Sequence, residues 1–450
     1  MNKIRIIAII LFAAVITVPL AFFNFTPDSV SAIDNRKLAE NPLKADGDLT
    51  TNIQNYVNDR IGFRNEIITG YTVLNDKLFG KMVHPSYSYG KDGYVFGNGL
   101  TTANNFGAYH RAFADMVAEI QGYCEERNVP FLFVFNPAKP AVYQDKIADG
   151  INYNRDWVDL FLAELDARNV QYLDNTKTFI ELRENGVDSF NQKYDANHWN
   201  DLGAFYGTQA ILERLSQNCD NIHVNKIEEF SQLEELQTSL LVSKFPIQEY
   251  IPKLGMKASV SNRRSEYFEE LELHPSYQGF GYFINESEAV KDTPKTLVFQ
   301  GSYMNGYGCK YLANAFSEYI YVHDYQNVLN FSYYFNIFQP ECVIFEVAEY
   351  TFADKYFSYQ LMQNIDCNPK LSTLSEDEYK PVNIDNEELS IQEGETLSTI
   401  TWYTDQKHTY VWLVSEETYD MQLVDGGYKV TVETNDLQNI LNEMIIYASS

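Results

Sequence analysis

Thr296-Leu-Val-Phe-Gln-Gly-Ser-Tyr-Met-Asn305 runs from a short apolar stretch through one glycine into a serine, with a helical stretch at Lys310–Phe316 close behind. An apolar run of four to eight residues bounded by a turn has the length of a buried strand. A serine on a tight strand-to-helix turn presents its hydroxyl at the strand's C-terminal end, beside free backbone N–H groups. That setting suits a nucleophile that needs a neighbouring base and an oxyanion site. Serine is also a preferred helix N-cap, which describes Ser302 equally well when it is taken alone.

The same pattern recurs on both sides of this stretch. Val129–Asn136 is a strand, Trp157–Arg168 a helix, Val170–Asp174 a strand and Leu202–Ser216 a helix; Tyr319–His323 and Cys342–Val347 are strands. Short apolar strands alternating with helices predict a largely parallel sheet covered on both faces, with active sites beyond the C-terminal strand ends. Upstream, the periodicity predicts one helix from Asn52 to about Phe79, a hairpin over Tyr87–Phe96 around Gly90-Lys-Asp-Gly93, and a helix over Phe106–Glu126. Residues 222–294 do not continue the alternation cleanly and read as an insertion. After about residue 367, the strands Leu397–Tyr403, Thr409–Val414 and Tyr428–Val432 predict a β-rich module. The expected division is residues 1–25, an anchor or signal; 26–366, the α/β unit; and 367–450, the β-rich module.

Composition narrows the setting. The chain has 450 residues, 45% of them hydrophobic, enough to fill a large α/β core. A formal charge of −28 repels nucleic acid, and no basic run relieves it, so a nucleic-acid role is excluded. Lys3 and Arg5 precede an apolar run from Ile6 to Phe23, with Asp28 and Asp34 beyond it. The run is long enough to cross a bilayer, and the charge order keeps the N-terminus inside and the body outside. Its length favours an uncleaved single-pass anchor over a cleaved signal, although Val30-Ser31-Ala32 offers a small-residue cleavage pattern. Five scattered cysteines lack metal or disulfide-framework spacing, and the chemistry discussed below needs no metal or dissociable cofactor.

A second polar stretch, Tyr194-Asp-Ala-Asn-His-Trp-Asn-Asp-Leu-Gly-Ala204, sets Asp195 three residues before His198, just ahead of a helix. A carboxylate there can fix the imidazole tautomer and stabilise its charged form. His198 is equally an ordinary loop histidine if nothing else approaches it. A third, Val134-Phe-Asn-Pro-Ala-Lys-Pro-Ala-Val-Tyr143, ends a strand in a polar turn. Asn136 is a candidate oxyanion donor and Lys139 a candidate substrate contact, while Asn-Pro is also a common turn opener. Tyr303 and Trp199, next to the serine and the histidine, complete the candidate substrate-binding set.

Seven motifs in order carry a family likeness. They are Asp34-Asn-Arg-Lys-Leu-Ala39, Asp59-Arg-Ile-Gly-Phe-Arg64, Gly90-Lys-Asp-Gly-Tyr-Val-Phe96, Pro137-Ala-Lys139 with Tyr143, His198-Trp199, Gly301-Ser-Tyr303 and Pro340-Glu-Cys-Val-Ile-Phe-Glu346. Together, over roughly residues 30–350, the chain resembles the SGNH-hydrolase-like alginate O-acetyltransferases and the related DHHW proteins of Gram-positive bacteria. The resemblance implies a flavodoxin-like three-layer sandwich and transfer of acetyl groups to hydroxyls of a cell-surface polysaccharide. It also implies a membrane-bound O-acyltransferase as acyl donor, with Ser302 as nucleophile, His198 as base and Asp195 as orienter. A glycan esterase and a non-catalytic polysaccharide-binding or assembly protein remain the alternatives. Three positions depart from the family. The acid is Asp195 where the family usually has it at the position of Ala196, Gln300-Gly301 precedes the serine, and Glu349-Tyr350 stands where the family has Glu-Arg. A divergent donor, a divergent acceptor and lost activity each fit these departures.

Overall fold

The apolar run after Lys3 forms one helix, α1 (Lys3–Ala21), which buries none of its residues. It has 19 residues and a mean hydropathy of 2.6, long and apolar enough to cross a membrane. The computed structural model describes residues 3–449 except 26–30, 32–36, 85, 98, 100–103, 242–244 and 385–387. Val30, Ala32 and Asp34-Asn-Arg36 therefore lie outside the described residues.

The helix expected over Asn52–Phe79 is two helices, α2 (Leu49–Arg60) and α3 (Arg64–Phe79). Two local causes break it. Phe63 is left-handed, with φ 61°, and the end of α1 packs on the turn. A Cβ on Gly62 would lie 2.6 Å from the Phe22 carbonyl oxygen and 2.7 Å from that of Pro19. Glycine thus lets two backbones approach, and the helical period runs across the break without showing it.

Next come the hairpin strands β1 (Tyr87–Tyr89) and β2 (Val95–Gly97), whose turn puts Asp92 at φ 54° and Gly93 at φ 78°. The α/β unit follows: α4 (Ala108–Glu126), β3 (Phe131–Asn136), the single turn α5 (Lys139–Val142), α6 (Asp156–Ala167), β4 (Tyr172–Asp174), α7 (Thr176–Glu184) and α8 (Asp201–Leu215). Then follow β5 (Phe230–Ser239), β6 (Pro246–Met256), β7 (Val260–Asn262), the turn α9 (Arg264–Tyr267) and β8 (Phe280–Asn285). The unit closes with β9 (Thr296–Gln300), α10 (Cys309–Ala315), β10 (Glu318–His323), α11 (Phe331–Phe338) and β11 (Cys342–Ala348).

Seven strands make the main sheet, in the order β4-β3-β11-β9-β10-β8-β7. The first five run parallel, and β8 and β7 add an antiparallel edge. Part of the segment read as an insertion therefore belongs to the central sheet, while β5 and β6 pair as a separate ribbon. Side chains alternate across the sheet and fill a core on each face. In β11, Val343, Phe345 and Val347 pack under α4, α6 and α11. Cys342, Ile344 and Ala348 pack under α8 and α10. The fold is of the SGNH-hydrolase type with a mixed sheet.

After the turn α12 (Tyr359–Met362), the strands β12 (Tyr379–Pro381), β13 (Leu389–Gln392), β14 (Leu397–Tyr403), β15 (Val411–Val414), β16 (Thr418–Asp420), β17 (Gln422–Val424), β18 (Gly427–Glu433) and β19 (Ile445–Ser449), with α13 (Thr434–Glu443), form two four-stranded sheets. They enclose a third core around Ile400, Trp402, Val430 and Ile446. The buried Asp420 ties this part to the α/β body. It accepts from Arg127 at 3.3 Å and from Tyr123, and its backbone exchanges hydrogen bonds with the Asn336 amide.

Candidate active site

Strand β9 lies between β11 and β10, all three parallel, so its C-terminal end opens on the centre of the sheet edge. Gly301 makes the turn there. Its N–H donates to Glu346 Oε2 at 2.9 Å, and its carbonyl accepts from Asn305 at 3.0 Å. Ser302 starts a helix whose first turns, Met304–Gly308, are wound as a π-helix before α10. Such local widening often marks functional positions.

His198 sits on the loop before α8, which Asn200 caps by accepting from the Gly203 N–H at 2.9 Å. Its Nε2 lies 3.1 Å from Ser302 Oγ, and its Nδ1 lies 2.8 Å from Asp195 Oδ1. The same Asp195 oxygen accepts from the His198 backbone N–H at 3.2 Å. Asp195 is buried and left-handed, with φ 50°. Aspartate tolerates that region better than most residues, and strain of this kind gathers at functional sites. The residues Asp195, His198 and Ser302, 107 positions apart in sequence at their extremes, thus stand in one line of contacts.

The electrostatics suit proton transfer. Burial opposes ionisation of Asp195, yet the attraction and hydrogen bonds of His198 hold its carboxyl below the ordinary value. Burial likewise opposes protonation of His198, and the Asp195 carboxylate more than offsets it, so the imidazole pKa is raised. Tyr307 is a further neighbour; burial and the Asp195 charge push its phenol up.

The other four candidates do something different from what their sequence positions suggested. Trp199 is fully buried and donates Nε1–H to the Tyr303 carbonyl at 2.9 Å. Tyr303 is also fully buried, and its hydroxyl lies 2.8 Å from the Asn197 carbonyl and 3.1 Å from that of Pro137. The pair clamps the histidine loop to the serine helix rather than facing a substrate. Asn136 is buried, with Nδ2 donating to Glu346 Oε1 at 2.7 Å and Oδ1 accepting from Asn175 at 2.8 Å. Its amide is committed beneath the sheet edge and is not offered to an oxyanion. Lys139 is also buried, donating to the carbonyls of Val95 at 2.7 Å and Gln192 at 3.1 Å. Burial lowers its pKa to about 7, against the pull of Glu249 and Asp195. It fastens the hairpin to the loop that carries Asp195 and does not reach solvent.

Residues outside the seven candidate site positions complete the site. The Tyr350 hydroxyl lies 2.5 Å from Ser302 Oγ. Tyr350 is 38% exposed, and desolvation of its hydroxyl raises the phenol pKa above its ordinary range, so it is a neutral donor. Beneath Gly301 lies Glu346, fully buried in β11. Burial, reinforced by Asp324, pushes its carboxyl up to about 8. Next in line, Glu349 binds the Arg155 Nε at 2.8 Å, the Tyr153 hydroxyl at 2.7 Å and the Ala138 N–H at 3.0 Å. The available sequence signal was a lone glutamate inside the apolar Val343–Ala348 run. Among the described residues, no group of three or more His, Cys, Asp or Glu is placed to hold a metal ion.

Residues 88–270 match the family model of the SGNH hydrolase-like domain of acetyltransferase AlgX. Over this segment the chain is similar to the SGNH hydrolase-like domain of the AlgX family. The AlgX-like segment includes Asp195 and His198, and Ser302 lies beyond its end. No curated protein matches the chain. Bacillus cereus PatB1, solved with a sulfonyl adduct, is similar at a TM-score of 0.45 and 16% identity, over 62% of this chain and 97% of that one. The O-acetyltransferase domain of Pseudomonas putida AlgJ aligns at 0.41 and 13%, over 65% and 96%. A DHHW family protein from Eubacterium siraeum aligns at 0.42 and 14%, over 61% and 93%.

Proposed function

We propose that this chain is an extracytoplasmic O-acyltransferase that carries an acetyl group through Ser302 to hydroxyls of a cell-surface polysaccharide. The observation that carries it is the contact line Ser302 Oγ–His198 Nε2 at 3.1 Å and His198 Nδ1–Asp195 Oδ1 at 2.8 Å. The match of residues 88–270 to the AlgX acetyltransferase domain supports the choice of acyl chemistry.

In the first half-reaction His198 Nε2 takes the Ser302 proton as Oγ attacks the donor's acyl carbon. The donor's leaving group departs with that proton, and the acyl group remains on Ser302 as an ester. In the second, a sugar hydroxyl gives its proton to His198 and attacks the acyl-serine, and the proton returns to Oγ as the ester bond breaks. Asp195 holds the imidazole tautomer throughout. With Asn136 committed elsewhere, the oxyanion donors are the N–H groups of the first helical turn from Ser302, which a helix leaves without acceptors, and the Tyr350 phenol. In the same reading residues 1–25 anchor the chain in the membrane, 26–366 are the catalytic unit and 367–450 a docked β-rich module. A membrane-bound O-acyltransferase supplies the acyl group.

The test is turnover of an activated acetyl ester by the full-length protein and by Ser302→Ala. Equal turnover removes Ser302 as nucleophile. Acetyl mapping of isolated envelope polysaccharide then separates the two directions: loss of acetyl marks without the protein fits a transferase, and their gain fits an esterase.

A further inference from the structure

Helices α2 and α3 each expose an apolar stripe that no other described residue covers. On α2, Leu49, Ile53 and Val57 recur every four residues and point outward. On α3, Ile67, Tyr71, Leu74 and Leu78 form one stripe, with Leu74 54% and Leu78 62% exposed. Some polar residues of the same helices turn inward, while Gln54, Asn58, Glu66 and Lys77 stay exposed beside the stripes. Asp59 Oδ2 accepts from the Ala39 N–H at 2.8 Å, and Arg60 donates to the Ala39 carbonyl at 3.0 Å. Thr72, wholly buried, donates to the Val83 carbonyl at 2.5 Å, and Asp76 accepts from the Tyr89 hydroxyl at 2.8 Å. A surface helix in water turns its apolar stripe to the core, and an exposed apolar face of this extent marks a contact surface.

We propose that α2 and α3 lie in the outer membrane–water interface with their apolar stripes among the lipids. The inference rests on α1 being a spanning anchor, and continuity with α1 selects lipid over other occupants. The end of α1 is fastened directly to the α2–α3 turn. Gly62 N–H donates to the Pro19 carbonyl at 3.0 Å, Asn24 N–H to the Arg60 carbonyl at 2.7 Å, and the Phe22 and Phe63 rings lie 4.9 Å apart. A helix pair clamped to a spanning helix where it leaves the bilayer sits at headgroup height. Tyrosine favours that depth, and Tyr71 is exposed on the stripe, with Phe22 and Phe63 exposed at the α1 contact. Apolar stripes of interfacial helices sink about 5–10 Å into the headgroup–acyl boundary. The interface thereby gives the body a second attachment and restricts its swing about the anchor.

The experiment uses the full-length protein in vesicles of phosphatidylethanolamine and phosphatidylglycerol, with one tryptophan added as Leu74→Trp, Leu78→Trp or Val15→Trp. The native Trp157, Trp199, Trp402 and Trp412 are buried in the folded body and give a constant background. Lipids brominated high on the acyl chain should quench the Leu74→Trp and Leu78→Trp emission more than lipids brominated near the chain end. Val15→Trp should show the reverse order and so report on the anchor itself. If Val15→Trp is quenched while the α3 variants stay unquenched, the anchor stands and the interfacial placement is overturned. A blue-shifted but unquenched Leu74→Trp also overturns it, assigning the face to a protein or a second copy. If no position is quenched, the anchor reading fails as well.

Discussion

Replacing Tyr350 with phenylalanine removes one hydroxyl and little else, because the ring is part exposed and its edge contacts persist. Two roles for that hydroxyl predict different results. If it only holds Ser302 Oγ in the resting enzyme, its loss costs the worth of one neutral hydrogen bond, about 0.5–1.5 kcal/mol, in the ground state. The serine is then freer to attack, and the rate stays level or rises. If it stabilises the oxyanion, the loss falls on the transition state and costs about 10²–10³ in rate, or ~2.7–4 kcal/mol. The second role is the one predicted. A phenol 2.5 Å from Oγ stands beside the carbon that Oγ would attack, the Asn136 amide is held by Glu346, and the raised Tyr350 pKa keeps its proton in place. The assay is the burst of p-nitrophenol from an activated acetate, followed by steady turnover, with Ser302→Ala as baseline. Acylation by Tyr350→Phe should fall about 10²–10³-fold. The acid limb of its pH profile should not move, since the His198–Asp195 pair is intact. An acylation rate equal to or above wild type would refute the oxyanion role.

Because His198 must be neutral to act as base, the wild-type rate should rise with pH through a pKa above 6.5, where the Asp195 carboxylate has raised it against burial. In Asp195→Asn burial acts alone, so the inflection should drop below 6.5 while kcat falls by about 10²–10⁴; an unmoved inflection would detach Asp195 from the base. Burial and the nearby Asp324 keep Glu346 protonated up to about pH 8, and above that its charge lies under the Ser302 turn and opposes an oxyanion. The kcat/KM profile should therefore fall as pH rises through about 8, and Glu346→Gln should lose that alkaline limb; a limb retained in the variant assigns it to another group. Gly62→Ala forces a Cβ against two backbone carbonyls within 2.7 Å, at a cost of about 1–3 kcal/mol. Exchange of the Asn24 amide hydrogen should accelerate in this variant, and unchanged protection would show that α1 is not packed on the turn.

The strands were legible because each is a short, nearly continuous apolar run, as parallel strands buried on both faces must be; β9 is read from Thr296-Leu-Val-Phe-Gln300 alone. Periodicity was also enough for α4, α6 and α8. It failed at Ile61-Gly62-Phe63, where the apolar spacing continues but the close approach of α1 and a left-handed residue split the helix. It failed again at β7 and β8, whose place in the main sheet is set by antiparallel pairing with β10 rather than by their own pattern.

By itself the sequence determined the apolar N-terminal helix, the α/β class, and which aspartate, histidine and serine to examine, because each of these is written in neighbouring residues. Tertiary structure alone decided what the remaining polar groups do. Asn136 meets Glu346 from 210 positions away, and Tyr350 reaches Ser302 across 48. A buried amide or ammonium must satisfy its hydrogen bonds with whatever the fold brings near it. That demand turned Asn136 and Lys139 into braces and left Tyr350 beside Ser302.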